Sequence, residues 1–313
     1  MGRNLAPVSC ETRGMTPVSA SPAASLPWPW LDRRGRLSAV KLAMLAGLVA
    51  PALVLALRWA SGDLMPRPFD TAIHETGLWG MRFLLLSLAL TPLRRGGDLA
   101  GLVLIRRMVG VGAFCWLALH FFLYVGDQAF DLGLVAAEIV KRFYLMFGFI
   151  ALFGLCLLAA TSTDGMVRRL GARRWRALHR LTYGIGILGA VHFFMQSKAD
   201  PGEATIAAGL LVWAFARRLW PGRGAWPVLL LPVLAALGAA LAEALYFLGI
   251  RGIDPTLVLL ANLDLAFGPR PALWSGLAVL GVELALLLRR RSGGRQGPGG
   301  PRPAARRSGG SAA

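Results

Sequence analysis

Residues 143–160 read FYLMFGFIALFGLCLLAA, a run without a single charged side chain. Such a run is typical of a helix that crosses a lipid bilayer, which needs about 20 predominantly apolar residues. The bilayer core offers no water to the backbone, so the chain must pair its own N–H and C=O groups, and a helix does this within one segment. The stretch therefore predicts an all-α membrane protein.

Further apolar segments lie on both sides of this run. Apolar residues make up 56% of the 313 positions and charged residues only 16%, whereas soluble domains average roughly 45–50% and 25%. This composition excludes a typical cytosolic enzyme and a disordered chain. We expect a polytopic bundle of eight helices in the lipid bilayer, at about 38–59, 77–93, 108–126, 143–160, 181–197, 204–219, 226–250 and 271–288.

The net charge is +18, from 34 basic and 16 acidic residues. In a soluble protein this excess would indicate nucleic-acid binding. Here the arginines cluster in alternate connections, such as 94–107 and 161–180, and the other connections are acidic or mixed. Because basic connections stay in the cytoplasm, we expect both termini there, an even number of spans, a bacterial inner membrane and no nucleic-acid partner.

Histidines are the strongest candidates for chemistry, because ionisable side chains at membrane depth are costly and commonly functional. His120 lies late in the third predicted helix and His192 late in the fifth, so both should reach one depth. Two imidazoles from different helices at one depth suit the axial positions of a heme iron. The alternative is that each merely hydrogen-bonds a neighbouring helix. These two helices also contain several glycines: Gly110, Gly112, Gly184, Gly186 and Gly189. The glycines either let a flat macrocycle approach the backbone or let the helices pack closely together.

A second site toward the opposite membrane face is suggested by His179. It lies thirteen residues before His192, about 20 Å along a helix, although on one ideal helix the two side chains would be some 140° apart. A matching histidine would be expected near positions 106 and 107, where the sequence has Arg106 and Arg107. His179 is therefore a candidate metal ligand without an obvious partner.

Two more polar residues complete the candidate set. His74 precedes the second predicted helix at the membrane interface, where it is able to ligate a metal, accept a proton or contact a partner. Arg82 lies inside that helix and is able to pair with a heme propionate or another acidic group, or to snorkel toward water. The sequence has no Walker A motif, no HExxH and no GxGxxG after a strand, so no nicotinamide site is predicted.

Six short stretches follow one another along the chain: Ile73-His74-Glu75-Thr76-Gly77, Leu90-Thr91-Pro92-Leu93, Arg106-Arg107-Met108-Val109-Gly110, Ala118-Leu119-His120, Thr161-Ser162-Thr163 and Trp175-Arg176-Ala177-Leu178-His179-Arg180-Leu181-Thr182-Tyr183. In this order they resemble the MsrQ (YedZ) family, heme-binding membrane subunits of the periplasmic protein-methionine-sulfoxide reductase MsrPQ. The family has a ferric-reductase-like transmembrane domain, and the resemblance covers about residues 38–220.

The resemblance implies a b-type heme (heme b), association with FMN, and electrons drawn from the quinone pool. It implies that these electrons pass to an MsrP-type periplasmic molybdopterin reductase subunit, which repairs methionine sulfoxide in oxidised proteins. By position, His120, His179 and His192 match the family's heme-associated histidines. The chain would then be a non-catalytic electron-transfer subunit.

These inferences divide the chain into four parts. They are a disordered leader (1–37), a six-helix ferric-reductase-like heme-binding core (38–220), an additional two-helix membrane segment (221–290) and a disordered basic tail (291–313). Two other functions stay open from the sequence: a stand-alone membrane ferric or quinone-linked reductase, and a heme-free transporter or scaffold.

Overall fold

The computed structural model describes residues 28–31, 35–99, 101–198, 200–220, 225–266 and 268–293. The predicted leader and tail lie mostly outside these ranges. Within them the chain forms eleven helices, and its only β-structure is an isolated bridge between Leu31 and Leu37. The helices are α1 (Ala39–Ala60), α2 (Pro68–Gly97), α3 (Leu102–Asp127), α4 (Leu132–Lys141), α5 (Phe143–Ala160), α6 (Asp164–Leu178), α7 (Leu181–Gln196), α8 (Gly202–Leu219), α9 (Trp226–Arg251), α10 (Pro255–Ala261) and α11 (Pro271–Gly293).

All eight predicted helices are present, and the second is much longer than predicted. It begins at Pro68, with Asp70 in its first turn, and both residue types favour a helix N-terminus. The apolar run from residue 77 marks only the part of α2 suited to a bilayer. The placement of His74 before this helix was therefore wrong, because it lies inside α2.

Three short helices occupy segments that were predicted as connections. Each has a capping side chain that accepts a backbone N–H: Asp131 for α4, Thr163 for α6 and Asp254 for α10. Such caps stabilise a helix end by about 1 kcal/mol. Helix α6 bends at Gly171, whose φ of 75° is readily adopted only by glycine.

Six of the described helices are long and apolar enough to cross a membrane, namely α1, α2, α3, α5, α9 and α11. The predicted all-α, multi-pass membrane fold is thereby confirmed. Helix α7 is apolar but has only 16 residues, and α8 carries Glu203, Arg217 and Arg218. A count of six is even, as two termini on one side of the membrane require. The count of eight spans stays a prediction.

Helix α2 lies at the centre of the bundle and packs along α3, with further contacts to α7, α8 and α11. Helix α8 joins this core to the C-terminal helices α9 and α11. One tie is a buried ion pair, in which Arg217 Nε lies 3.1 Å from Glu283 Oε1. The indole N–H of Trp213 also donates to that carboxylate, at 3.0 Å. The C-terminal helices are thus packed onto the core.

The helix directions give the bundle two chemically different ends. At the acidic end α2, α5, α8 and α11 begin, and at the basic end they finish. The acidic end has the carboxylates Asp63, Asp70, Glu75, Asp127, Asp131, Glu138, Asp200, Glu203, Asp254 and Asp264, mixed with the basic residues Arg58, Arg67, Lys141, Arg142, Lys198, Arg251 and Arg270. The basic end has Arg94, Arg95, Arg106, Arg107, Arg168, Arg169, Arg173, Arg174, Arg176, Arg180, Arg217, Arg218, Arg289, Arg290 and Arg291, with the acidic residues Asp98 and Asp164.

Candidate metal centre

The structure brings His120 of α3 and His192 of α7 together near the acidic end. Their ring centroids are 6.2 Å apart and the ring planes are nearly perpendicular, at 82°. The helices that carry them are far apart in sequence, so the pairing depends on the tertiary fold. This is the arrangement that two histidines at one depth were expected to reach.

Each imidazole is held by a backbone carbonyl of a neighbouring helix. His120 Nδ1 donates to the Ile73 carbonyl of α2 at 2.8 Å, and His192 Nδ1 donates to the Tyr144 carbonyl of α5 at 2.7 Å. A carbonyl can only accept, so Nδ1 carries the proton in both rings. Each Nε2 therefore keeps its lone pair, which is the form of histidine that binds a metal.

A glycine allows each ring to approach its supporting helix. A Cβ added to Gly77 would lie 2.9 Å from His120 Nδ1, and one added to Gly148 would lie 2.8 Å from His192 Nδ1. In both cases the glycine is four residues after the carbonyl that accepts the hydrogen bond. Residues four apart are neighbours on one helix face, so the two histidines have the same kind of support.

The separation of the two rings fits a metal held between them. An imidazole-bound metal lies about 2 Å from the ligating nitrogen, and the ring centroid lies roughly 1 Å behind that nitrogen. Two ligands on opposite sides of one metal therefore have centroids roughly 6 Å apart, and the observed distance is 6.2 Å. The donor set and spacing suit the axial positions of a heme iron.

His179 has a different environment at the basic end. It follows α6 as its C-cap and precedes α7, so the angle expected for two residues on one ideal helix does not apply. Its ring stacks on Trp175 at 3.9 Å, and its Nε2 lies 3.4 Å from Ser162 Oγ. Burial lowers the pKa of His179, partly offset by the hydrogen bond to the Trp175 carbonyl, and Arg106 and Arg107 lower that pKa further.

The other two predicted site residues lie outside the histidine pair. His74 is exposed on α2, beside the Ile73 carbonyl that holds His120. Arg82 pairs with a protein carboxylate, because its Nη2 lies 3.3 Å from both oxygens of Glu203. Its guanidinium also lies over the Trp79 ring, 5.0 Å from the centroid.

The glycines singled out in the sequence have two different surroundings. Gly112 packs on Leu48, and Gly186 and Gly189 pack on side chains of neighbouring helices, so these three serve helix packing. Gly110 and Gly184 have no described atom within 4 Å of an added Cβ. The glycines that contact the histidines, Gly77 and Gly148, were overlooked. Gly77 closes the Ile73–Gly77 motif, which was the available signal.

A small pocket lies at the basic end between α2 and α3. Its volume is about 140 Å³, and its lining includes Thr91, Arg94 and Arg106. Pockets for whole cofactors measure roughly 300–1,000 Å³. The pocket therefore has room for a group of the size of phosphate.

Sequence comparisons show which known proteins this chain resembles. Residues 76–190 match the family model described as ferric reductase like transmembrane component. The chain is 44% identical to a Rhodospirillum rubrum protein over 191 residues, covering 61% of this chain and 89% of the relative. It is 40% identical to a Caulobacter vibrioides protein over 197 residues, covering 61% and 94%.

A Brucella ovis protein is 43% identical over 180 residues, covering 55% of this chain and 79% of the relative. All three relatives are named protein-methionine-sulfoxide reductase heme-binding subunit MsrQ. No solved structure matches the chain significantly. The extent and level of identity, together with the ferric-reductase-like segment that includes His120 and His179, establish that this chain belongs to the MsrQ family.

Proposed function

We propose that the chain is the heme-binding, electron-transferring membrane subunit of a protein-methionine-sulfoxide reductase. In this proposal His120 and His192 hold a b-type heme, and electrons pass from the quinone pool to a periplasmic molybdenum-containing subunit of the MsrP type. The observation that carries the proposal is the imidazole pair, with a centroid distance of 6.2 Å and both Nδ1 atoms bonded to backbone carbonyls.

The protein's part is to hold and orient the two ligands. A bound heme supplies one-electron chemistry at its iron. The carbonyls of Ile73 and Tyr144 fix the tautomer and the orientation of the two rings. Such outer partners also raise the basicity of a ligating histidine, and their loss typically weakens metal binding 10–100-fold.

The remaining cofactor assignments rest on the family resemblance. His179 is proposed as a further heme-associated residue, and its Trp175 stacking and Ser162 neighbour support a positioning role more than a second bis-histidine site. Arg82 and His74 are proposed to act near the heme periphery. FMN association stays a proposal without assigned residues.

The orientation is proposed from the arginine pattern. The positive-inside rule assigns the basic end to the cytoplasm of a bacterial inner membrane, with both termini there. The histidine pair then lies toward the periplasm, and the rim around His74, Asp127 and Asp131 is the proposed docking surface for the partner. A reporter fused after Arg291 should be active only in the cytoplasm, and periplasmic activity would refute this topology.

A reoxidation experiment tests the proposed function. The heme of the purified chain is reduced with dithionite under anaerobic conditions, and a protein containing methionine sulfoxide is added. We expect the heme to stay reduced until an MsrP-type subunit is also present. Turnover by the chain alone would favour a stand-alone reductase, and absence of heme in the purified chain would favour a transporter or scaffold.

A further inference from the structure

A buried carboxyl group in α9 lies outside the segment matched by the family model. Glu243 is only 6% exposed, although α9 is one of the helices suited to crossing a membrane. Placing such a residue within a membrane helix is costly, and it commonly marks a functional site. Glu243 is not part of the candidate metal centre, so the burial of this carboxyl group needs a separate explanation.

Glu243 shares its site with an asparagine whose hydrogen bonding is incomplete. Asn262, after α10, is also 6% exposed and donates from Nδ2 to Glu243 Oε2 at 2.8 Å. The same nitrogen donates to the Val258 carbonyl at 3.0 Å. Asn262 Oδ1 is buried without a hydrogen-bond partner among the described residues. A buried acceptor left without a partner costs free energy, so a ligand that donates to it would be stabilised.

Both polar groups line a cavity of about 220 Å³ between α9 and α10. An apolar protein cavity of about 150 Å³ accepts benzene, so this volume admits a substituted aromatic ring. The rest of the wall is apolar apart from Arg270, and it is formed by Phe247, Ile253, Leu257, Val258 and Ala261. Leu257, which lines the cavity, is also exposed on the outside of the bundle.

We propose that this cavity binds a lipid-soluble aromatic diol of the quinol class through Glu243 and Asn262. The proposal rests on the proposed function, because an electron-transfer subunit needs a reductant that is soluble in the membrane. The carboxyl oxygens and Asn262 Oδ1 are acceptors, and the two hydroxyl groups of a quinol are donors. The oxidised quinone has carbonyl acceptors only, so Arg270 is the one lining side chain suited to bind it.

A continuous series of ring contacts joins the cavity to the helix of His192. Phe247, in the cavity wall, packs on Tyr246 with centroids 5.3 Å apart. Tyr246 packs on Phe194 of α7 at 5.6 Å, and Phe194 lies two residues after His192. The cavity wall is therefore linked by ring contacts to the helix that carries His192.

Binding of three single-ring probes tests the proposal. They are trimethylhydroquinone, trimethylbenzoquinone and the dimethyl ether of the hydroquinone, which keeps the ring and lacks O–H donors. Each is titrated into the purified full chain in detergent without oxygen, with calorimetry as the readout. We expect the ether to bind about 10-fold more weakly than the hydroquinone, since it leaves buried acceptors without hydrogen bonds. The quinone should lie between them.

Two variants and one control locate the site. Glu243→Gln should weaken hydroquinone binding about 10-fold, and Ala261→Phe should weaken it by filling the cavity without changing a polar group. Asp264→Asn, which removes an exposed carboxylate near the cavity, should leave the affinity unchanged. If Glu243→Gln does not fold, the three probes and Ala261→Phe still decide.

Equal affinity for all three probes, no binding of any, or full affinity in Ala261→Phe would overturn the quinol site. These outcomes concern binding alone. The heme content of the same samples and its reoxidation by an MsrP-type subunit are measured separately. The cavity assignment is therefore able to fail while the proposed function stands, and the reverse also holds.

Discussion

The histidines at the two ends of the bundle have different surroundings. At the acidic end the ring centroids of His120 and His192 are 6.2 Å apart, and each ring is held by a carbonyl, beside a glycine, on a neighbouring helix. At the basic end His179 stacks on Trp175 and lies near a hydroxyl group. The difference lies in the support, because a neighbouring helix holds each ring of the pair and the chain's own preceding turn holds His179.

The two histidines at the acidic end are supported in the same way. Ile73 and Gly77 on α2, and Tyr144 and Gly148 on α5, each combine an accepting carbonyl with a missing side chain four residues later. The carbonyl sets the direction of the ring, and the glycine leaves room for it. At the basic end the accepting carbonyl belongs to Trp175 of the preceding turn, so the bond that holds His179 is local.

The largest effect is expected from removing either member of the pair. We expect His120→Ala and His192→Ala each to lose most of the b-type heme absorbance, because each imidazole supplies one axial bond. The heme-to-protein ratio of purified samples measures this. His74→Ala removes an exposed histidine outside the pair and should lose less heme than either variant. If both single variants keep full low-spin spectra, the axial assignment is wrong.

A smaller effect is expected from filling the space beside a ring. In Gly148→Ala the new Cβ would lie 2.8 Å from His192 Nδ1, so the ring must shift and its bond to Tyr144 weakens. We expect heme affinity to fall about 10–100-fold, the usual effect of losing an outer partner. Gly184→Ala is the matched control, because its added Cβ meets no described atom within 4 Å. If both variants retain the same amount of heme, Gly148 does not contribute to heme binding.

The smallest effect on heme content is expected at the basic end. His179→Ala removes the stacking on Trp175 and leaves the acidic-end pair intact. We expect electron transfer from a reductant to be impaired while total heme changes little. Parallel measurements of reduction rate and heme content test this. A loss of heme as large as in the His192 variant would place His179 among the principal ligands.

Much of the fold could be predicted because membrane helices are written as long apolar runs. The eight runs gave eight helices, and α5 has the predicted bounds, 143–160. The short helices α4, α6 and α10 were missed since each is too short or too polar to form such a run. Their caps, Asp131, Thr163 and Asp254, were the readable signals.

The histidine pair could be predicted from depth alone, but its support could not. The Tyr144 carbonyl accepts from His192 only because α7 packs against α5. No side chain in the sequence indicates this helix packing. The buried Glu243 and Glu283 were also missed, because single acidic residues within apolar runs give no sign of their partners. Only the fold brings Asn262 to the first and Arg217 to the second.

The spin state and the number of bound hemes decide whether His120 and His192 are the axial ligands. We predict one low-spin, bis-histidine heme per chain, seen by electron paramagnetic resonance and by heme-to-protein ratio. That signal should disappear in His120→Ala and in His192→Ala and persist in His179→Ala. Two equal bis-histidine hemes in the native chain, one of them lost with His179, would contradict the claim that only the acidic-end pair is built to hold the iron.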